Sequence, residues 1–373
     1  MAVTALAACK ERRDATTPTT PPATAPTTAP TTVPDASTAP SPTAAGTLPP
    51  AATDTTLPAT TEYFPPLAGE WATVSAADAG FTEAGLAEVV ALVERSNSQS
   101  FVLTIDGRIV AEQYWQGADA TTRRDIASAQ KSVTSTLVGL ARDKGLLALD
   151  QTVTSILGAG WSAAPAVDEA LITVQHLLTM TSGLEPFTLQ RKAEPGATWE
   201  YNTEAYQRLR PVLEAVAGTD INTLSGDWLF DELGIDAQSW YPRPAMKDAL
   251  GNVIWGLNIT AREMVRFGLF ALRAGRWADH QITTADWFQQ AWTPIPQKAD
   301  YGYLWWLLGK GRLGRRGAPA DLVAALGAQD QKIYVVPSTG LVLARQGGPA
   351  DDVTAAESDF DTALILALGR ARV

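Results

Sequence analysis

"RRDIASAQKSVTSTLVGLARDKGLLALD", residues 123–150, reads as a short lead-in, a long helix and a turn. Ser128 and Lys131 stand three positions apart where the helix is expected to begin, which puts both side chains on one face. In most helices a serine at that place is a cap, and a lysine one turn on is a solvated charge. Beyond Lys131, however, Val133, Leu137 and Leu140 recur at helical spacing and predict a buried helix. A lysine in its first turn is then partly stripped of water, which lowers an ammonium pKa and lets the amine share a neighbouring hydroxyl proton. The helix N-terminus adds free N–H groups and positive potential, both favourable to the oxyanion formed when a serine attacks a carbonyl. The pair thus fits a nucleophile and its proton partner, with a simple cap as the alternative.

Elements of recognisable type flank this segment on both sides. FTEAGLAEVVALVERS (Phe81 to Ser96) carries Leu86, Val89, Val90 and Val93 on one helical face. SFVLTIDGRIVAEQYW (Ser100 to Trp115) has β-rich arms around Asp106-Gly107, a favoured two-residue hairpin turn. Toward the other end, YGYLWWLLG, DLVAALGAQ, KIYVVPSTG and LVLARQGG are expected as four successive strands, with Pro337 to Gly340 as a turn. Thr354 to Ala371 reads as a closing amphipathic helix. The stretch from Ser128 to about Ala291 is mostly helical in pattern, and Thr260 with Glu263 has capping-box spacing. Since both ends are β-rich, the expected fold is α+β, an α/β sandwich. Its one antiparallel sheet is built from both ends of the domain, with a helical subdomain inserted.

Composition narrows the function. The 373 residues are 46% hydrophobic, ample for a core, and the net charge of −11 without a dense Lys/Arg run argues against nucleic acid as a partner. One cysteine and two histidines leave no cluster at metal-ligand spacing, so no metal or other cofactor is expected. His176, in ITVQHLLTMTSGL, reads as a helix-start residue satisfying its neighbours, and His280, in ADHQ, as solvated. The G-x-S-x-G, H-E-x-x-H and G-x-x-x-x-G-K-[ST] patterns are absent, as are paired glycines for a dinucleotide. From Asp14 to about Thr61 the chain is nearly all Thr, Pro and Ala, the composition of an extended spacer. Leu6 to Cys9 (LAAC) resembles a bacterial lipobox, which implies a lipid anchor at Cys9 and a place in the cell envelope, outside the cytoplasm. Residues 1–9 are thus read as a signal-peptide remnant, 10–67 as a linker and 68–373 as one folded domain.

Five stretches in order, SAQKSVTSTLVGLARDKGLLALD, ITVQHLLTMTSGL, PGATWEYNTEAY, WGLNITAREMVRFGLFALRAGRW and YGYLWW, resemble one family. It is the serine hydrolases related to class C β-lactamases and D-Ala-D-Ala peptidases, in the branch near 6-aminohexanoate-dimer hydrolase. The resemblance runs from about Phe81 to Gly348 and implies a β-lactamase/transpeptidase-like fold. It implies Ser128 as the acylated nucleophile, Lys131 as its proton-sharing partner and Tyr201 as the tyrosine of the family's Tyr-x-Asn loop. Thr203 replaces the loop asparagine and Asn202 sits one place early; both are expected at the substrate, as is Gly327. The strand ALGAQDQKIYVVP lacks the family's Lys-Thr-Gly or His-x-Gly, while the backbone N–H groups of Ser128 and Ala328 are expected to form the oxyanion hole. Carboxylate-bearing substrates are therefore expected to be poor, with 6-aminohexanoate dimer the exception for which Arg315 or Arg316 offers a substitute cation, and some of YLWW or Trp240-Tyr241 is expected to line an acyl pocket. The implied activity is cleavage of a small-molecule ester or amide through an acyl-enzyme. The alternatives are a D-Ala-D-Ala carboxypeptidase or weak β-lactamase, and a catalytically idle cell-wall-binding domain.

Overall fold

Asp106 and Gly107 both take left-handed φ values, 49° and 83°, so the hairpin turn expected from that dipeptide forms between β1 (Ser98–Ile105) and β2 (Arg108–Tyr114). The computed structural model to which they belong describes residues 62–311, 313–350 and 360–373. Cys9 with its expected anchor, most of the linker, and the expected helix before Phe360 lie outside the described residues.

The remaining strands are β3 (Arg124–Asp125), β4 (Trp240–Lys247), β5 (Val253–Ile259), β6 (Arg276–Trp277), β7 (His280–Gln281), β8 (Val323–Gly327), β9 (Gln331–Val336) and β10 (Leu341–Gly347). The main sheet runs β2-β1-β10-β9-β8, antiparallel at every step. Two strands from the front of the domain thus pair with three from the back, β1 against β10 with Leu103 opposite Leu343. The period of two sorts side chains between two cores. Val102, Ile333, Val335, Val342 and Ala344 face the helical block, while Phe101, Leu103, Tyr334, Leu341 and Leu343 face the helices Glu83–Arg95 and Phe360–Ala371. Both faces are covered, the sandwich that the pattern predicts. Thr260 caps the helix Ala261–Leu272 as expected: its hydroxyl accepts from Glu263 N at 3.1 Å, and Glu263 Oε2 accepts from Thr260 N at 2.7 Å.

Three expectations need correction. Tyr301 to Gly309 is not one of the four expected strands: Leu304 has φ 59°, and the segment makes isolated bridges, Tyr301 to Trp306 and Trp306 to Ala324, and scattered loop hydrogen bonds such as Leu304 N to Leu178 O at 3.0 Å. Its aromatic run packs into the helical side as a loop instead of alternating across a sheet. The helical block also holds β4 and β5, which join β3 in a small sheet, β3-β5-β4, and the β6-β7 hairpin. Pro242 and Pro244 obscure β4 in the sequence, and β4 is an edge strand, the place where proline is tolerated. Glu62 to Pro66, finally, which the sequence places in the linker, pack against the folded part. Glu62 pairs with Arg273 and Arg276, Phe64 meets Trp277 edge-on at 5.3 Å, and Arg266 donates to the Pro65 and Pro66 carbonyls.

Candidate active site

Beyond Asp125 the chain leaves β3, and Ile126 N donates to Leu257 O at 3.0 Å before a 3-10 turn, Ala127–Ala129, leads into the helix Gln130–Asp143. No side chain caps either the turn or the helix. Ser128 is therefore not a cap. Its half-buried Oγ accepts a hydrogen bond from Lys131 Nζ at 3.0 Å. The helix is buried on nearly every side, Val133, Leu137 and Leu140 included, and Lys131 is only 3% exposed.

Around Lys131 the structure gathers hydroxyls and aromatic faces. Nζ lies 3.4 Å from Thr203 Oγ1, 4.5 Å from the Tyr206 ring centre and 4.9 Å from that of Tyr201. Tyr206, whose hydroxyl pairs with Thr134 Oγ1 at 2.8 Å, has its pKa pushed up to about 12 by burial. Tyr201 stacks on Trp306 at 6.2 Å and 24°, and Trp199 and Tyr301 complete an aromatic wall. Of the tryptophans expected at an acyl pocket, Trp306 lies in this wall. Trp305 is buried against Phe267, and Trp240 is buried with its indole N–H on Ser225 Oγ.

Thr203 thus stands where the loop places a polar group against the lysine. Asn202 does not join it. It is 1% exposed; Oδ1 caps the helix Thr203–Tyr206 by accepting from Ala205 N, and Nδ2 donates to Leu184 O. Its amide is engaged by the fold at both ends. His176 caps as expected, its Nδ1 accepting from Thr173 N at 3.1 Å, and burial lowers its pKa. His280 is exposed.

The third side of the site is the end of β8. A Cβ on Gly327 would fall 2.2 Å from Ile126 O and 3.2 Å from Ala129 N, so the strand lies directly on the Ser128 turn. Ala328 follows at once. The chain then turns through Gln329 and Asp330, at φ 60° and 58°, a strained pair for residues with side chains. Arg345, fully buried, holds that turn: Nη1 donates to the Gln329 and Asp330 carbonyls, Nη2 to those of Ser96 and Gly348, and Nε to Ser98 Oγ. β8 carries no lysine or histidine. Lys332, its neighbour on β9, is buried with Asp330 and Asp361. Arg315 and Arg316 stand exposed on the turn Gly314–Arg316, whose flanking Leu313 and Ala318 belong to the outer core. Among the described residues, no three His, Cys, Asp or Glu side chains are grouped as around a metal ion.

The family model described as Beta-lactamase matches residues 87–363. The chain belongs to the beta-lactamase family. Solved structures share the fold at low identity. A candidate 6-aminohexanoate-dimer hydrolase from Bacillus anthracis matches with a TM-score of 0.62 and 16% identity, over 84% of this chain and 92% of that one. A penicillin-binding protein homologue from Caulobacter crescentus matches at 0.61 and 16%, over 78% and 99%. EstCE1, a hydrolase with promiscuous acyltransferase activity, matches at 0.59 and 15%, over 76% and 98%. A search of curated proteins finds no match. Membership of the beta-lactamase family makes the chain a hydrolase of that superfamily by fold, with Ser128 and Lys131 at the head of its central helix.

Proposed function

We propose that the protein is a serine hydrolase that cleaves a small ester or uncharged amide through an acyl-enzyme. The observation that carries the reading is the 3.0 Å bond between Lys131 Nζ and a Ser128 Oγ that caps nothing. Ser128 Oγ attacks the carbonyl carbon while Lys131, with Tyr201 beside it, takes the hydroxyl proton. The tetrahedral oxyanion lies at the amides of Ser128 and Ala328, where a main-chain donor needs no particular side chain. Tyr201 passes a proton to the leaving alkoxide or amine, the C–O or C–N bond breaks, and an acyl ester remains on Ser128. Water activated by the same pair then adds to the ester and releases the acid. Intact-mass measurement after exposure to a fluorophosphonate tests this without knowing the natural substrate: one covalent adduct supports it, and an unmodified mass ends it.

Tyr201→Phe keeps the stacking on Trp306 and removes only the hydroxyl. Turnover of p-nitrophenyl butyrate should fall by roughly 10²-fold, the usual worth of a positioned proton donor. The melting temperature should hardly move. Wild-type turnover in this variant would make Tyr201 a packing residue.

Substrate choice follows from β8. Without a cation there, the carboxylate of a penicillin or a D-Ala-D-Ala peptide meets no partner, and an unpaired carboxylate in a half-dry site is costly. Compared on one preparation, kcat/KM should rank p-nitrophenyl butyrate above nitrocefin and above a D-Ala-D-Ala peptide. 6-Aminohexanoate dimer also carries a carboxylate, and good turnover of it would point to a substitute cation such as Arg315 or Arg316. Fastest turnover of nitrocefin would replace the esterase reading with the β-lactamase one.

A further inference from the structure

Asp125 lies three residues before the nucleophile, and both of its oxygens are occupied. Oδ1 accepts from the Ala127 amide at 2.8 Å and from Arg243 Nη2 at 2.5 Å; Oδ2 accepts from Arg243 Nε at 2.7 Å and from Tyr241 Oη at 2.6 Å. The fork of the guanidinium matches the carboxylate edge, the geometry of a bidentate pair. Burial works against the charge on Arg243, and the Asp125 hydrogen bond and charge more than restore it.

Tyr241 and Arg243 are two apart on β4 and so share one face of that strand. Opposite Tyr241 on β5 is Gly256. A Cβ there would fall 2.7 Å from Arg243 Nε, 2.8 Å from Arg243 Nη2 and 2.8 Å from Tyr241 Cε1. The glycine opens the passage through which both side chains reach β3. What they secure is unusual backbone: Ala127 has φ 50°, the left-handed region that a residue with a Cβ enters only at a cost. Its amide is the one that Asp125 holds, and Ser128 is the next residue.

We propose that Asp125, braced by Arg243 and Tyr241, is a positioning device that holds Ala127 left-handed and thereby sets where Ser128 Oγ points. The device acts through Ala127 and touches no substrate. It rests on the reading of Ser128 as nucleophile, and the experiment separates the two. Labelling rate with a fluorophosphonate, kcat and KM for p-nitrophenyl butyrate, and melting temperature are measured for the wild type, Asp125→Ala, Asp125→Asn, Arg243→Ala and the Asp125/Arg243 double alanine variant.

An unlabelled wild type would sink the nucleophile and, with it, the device. With the wild type labelled, Asp125→Ala should cut the labelling rate and kcat together by roughly 10²-fold, the effect of an ångström-scale misplacement, with little change in KM. Asp125→Asn keeps an oxygen for the Ala127 amide and should recover about 10-fold of that loss. Arg243 works only through Asp125, so the double variant should be no slower than Asp125→Ala alone. Should Arg243→Ala fail to fold, Tyr241→Phe replaces it in the same cycle. Two results overturn the proposal: Asp125→Ala labelling at the wild-type rate while only its melting temperature drops, or losses that multiply in the double variant, which would give Arg243 its own role at the substrate.

Discussion

Ser128→Ala removes the fluorophosphonate adduct completely and lowers p-nitrophenyl butyrate hydrolysis by roughly 10⁴-fold or more, as loss of a covalent nucleophile does. The same substitution should leave the melting temperature nearly unchanged. The two readouts together decide between nucleophile and cap, because removing a serine cap costs about 1 kcal/mol of stability and no chemistry. The geometry favours the first outcome: Oγ accepts from Lys131, and neither the 3-10 turn nor the helix behind it takes a side-chain cap. Lys131→Met, which keeps most of the buried volume between the Tyr201 and Tyr206 rings, should likewise stop acylation, with the fold checked by circular dichroism. Undiminished labelling of the Ser128→Ala protein would end the assignment.

Gly327→Ala is the second large effect, and one methyl group produces it. The added Cβ would sit 2.2 Å from Ile126 O, well inside contact distance, with backbone on the opposing side. β8 must therefore retreat from the Ser128 turn by roughly 1 Å, carrying Ala328 with it, and a shift of that size in an oxyanion donor costs roughly 10²- to 10³-fold in kcat. Gly369→Ala is the control. Nothing lies within 4 Å of its Cβ position in the helix Phe360–Ala371, so it should be active and slightly more stable. Wild-type kcat in Gly327→Ala would mean that the amide of Ala328 takes no part.

What the sequence made legible was local or repetitive. The Asp106-Gly107 turn, the Thr260–Glu263 box, the apolar strand runs of β9 and β10 and the buried face behind Lys131 each lie within a few residues, and each formed. The aromatic run after Tyr301 misled because bulky rings suit a strand or a packed loop equally, and the left-handed Leu304 leaves no mark in the pattern. Asn202 and Thr203 part by adjacency: one position along a tight turn is the difference between facing Lys131, as Thr203 does, and capping a helix, as Asn202 does. Asp125 escaped notice because its partner Arg243 is 118 positions away. Arg345 did so because the last arginine of a strand reads as a solvated end, whereas here it is fully enclosed by carbonyls.

The joining of front and back strands in one sheet also governs how the molecule comes into being. Thr104 donates to the carbonyl of Val342, 238 positions further on, so a nascent chain carries β1 and β2 as an unpartnered hairpin through the synthesis of the entire helical block. Contacts of such long separation slow folding and leave strand edges open to wrong partners in the interval. Ser128 is made early, but the loop that faces it is anchored by Arg345 on the last strand of the sheet. The Gln329–Asp330 turn is thus fixed only when β10 docks, and a chain cut short before Leu341 would keep the Ser-x-x-Lys helix while lacking the strand that holds the turn after β8.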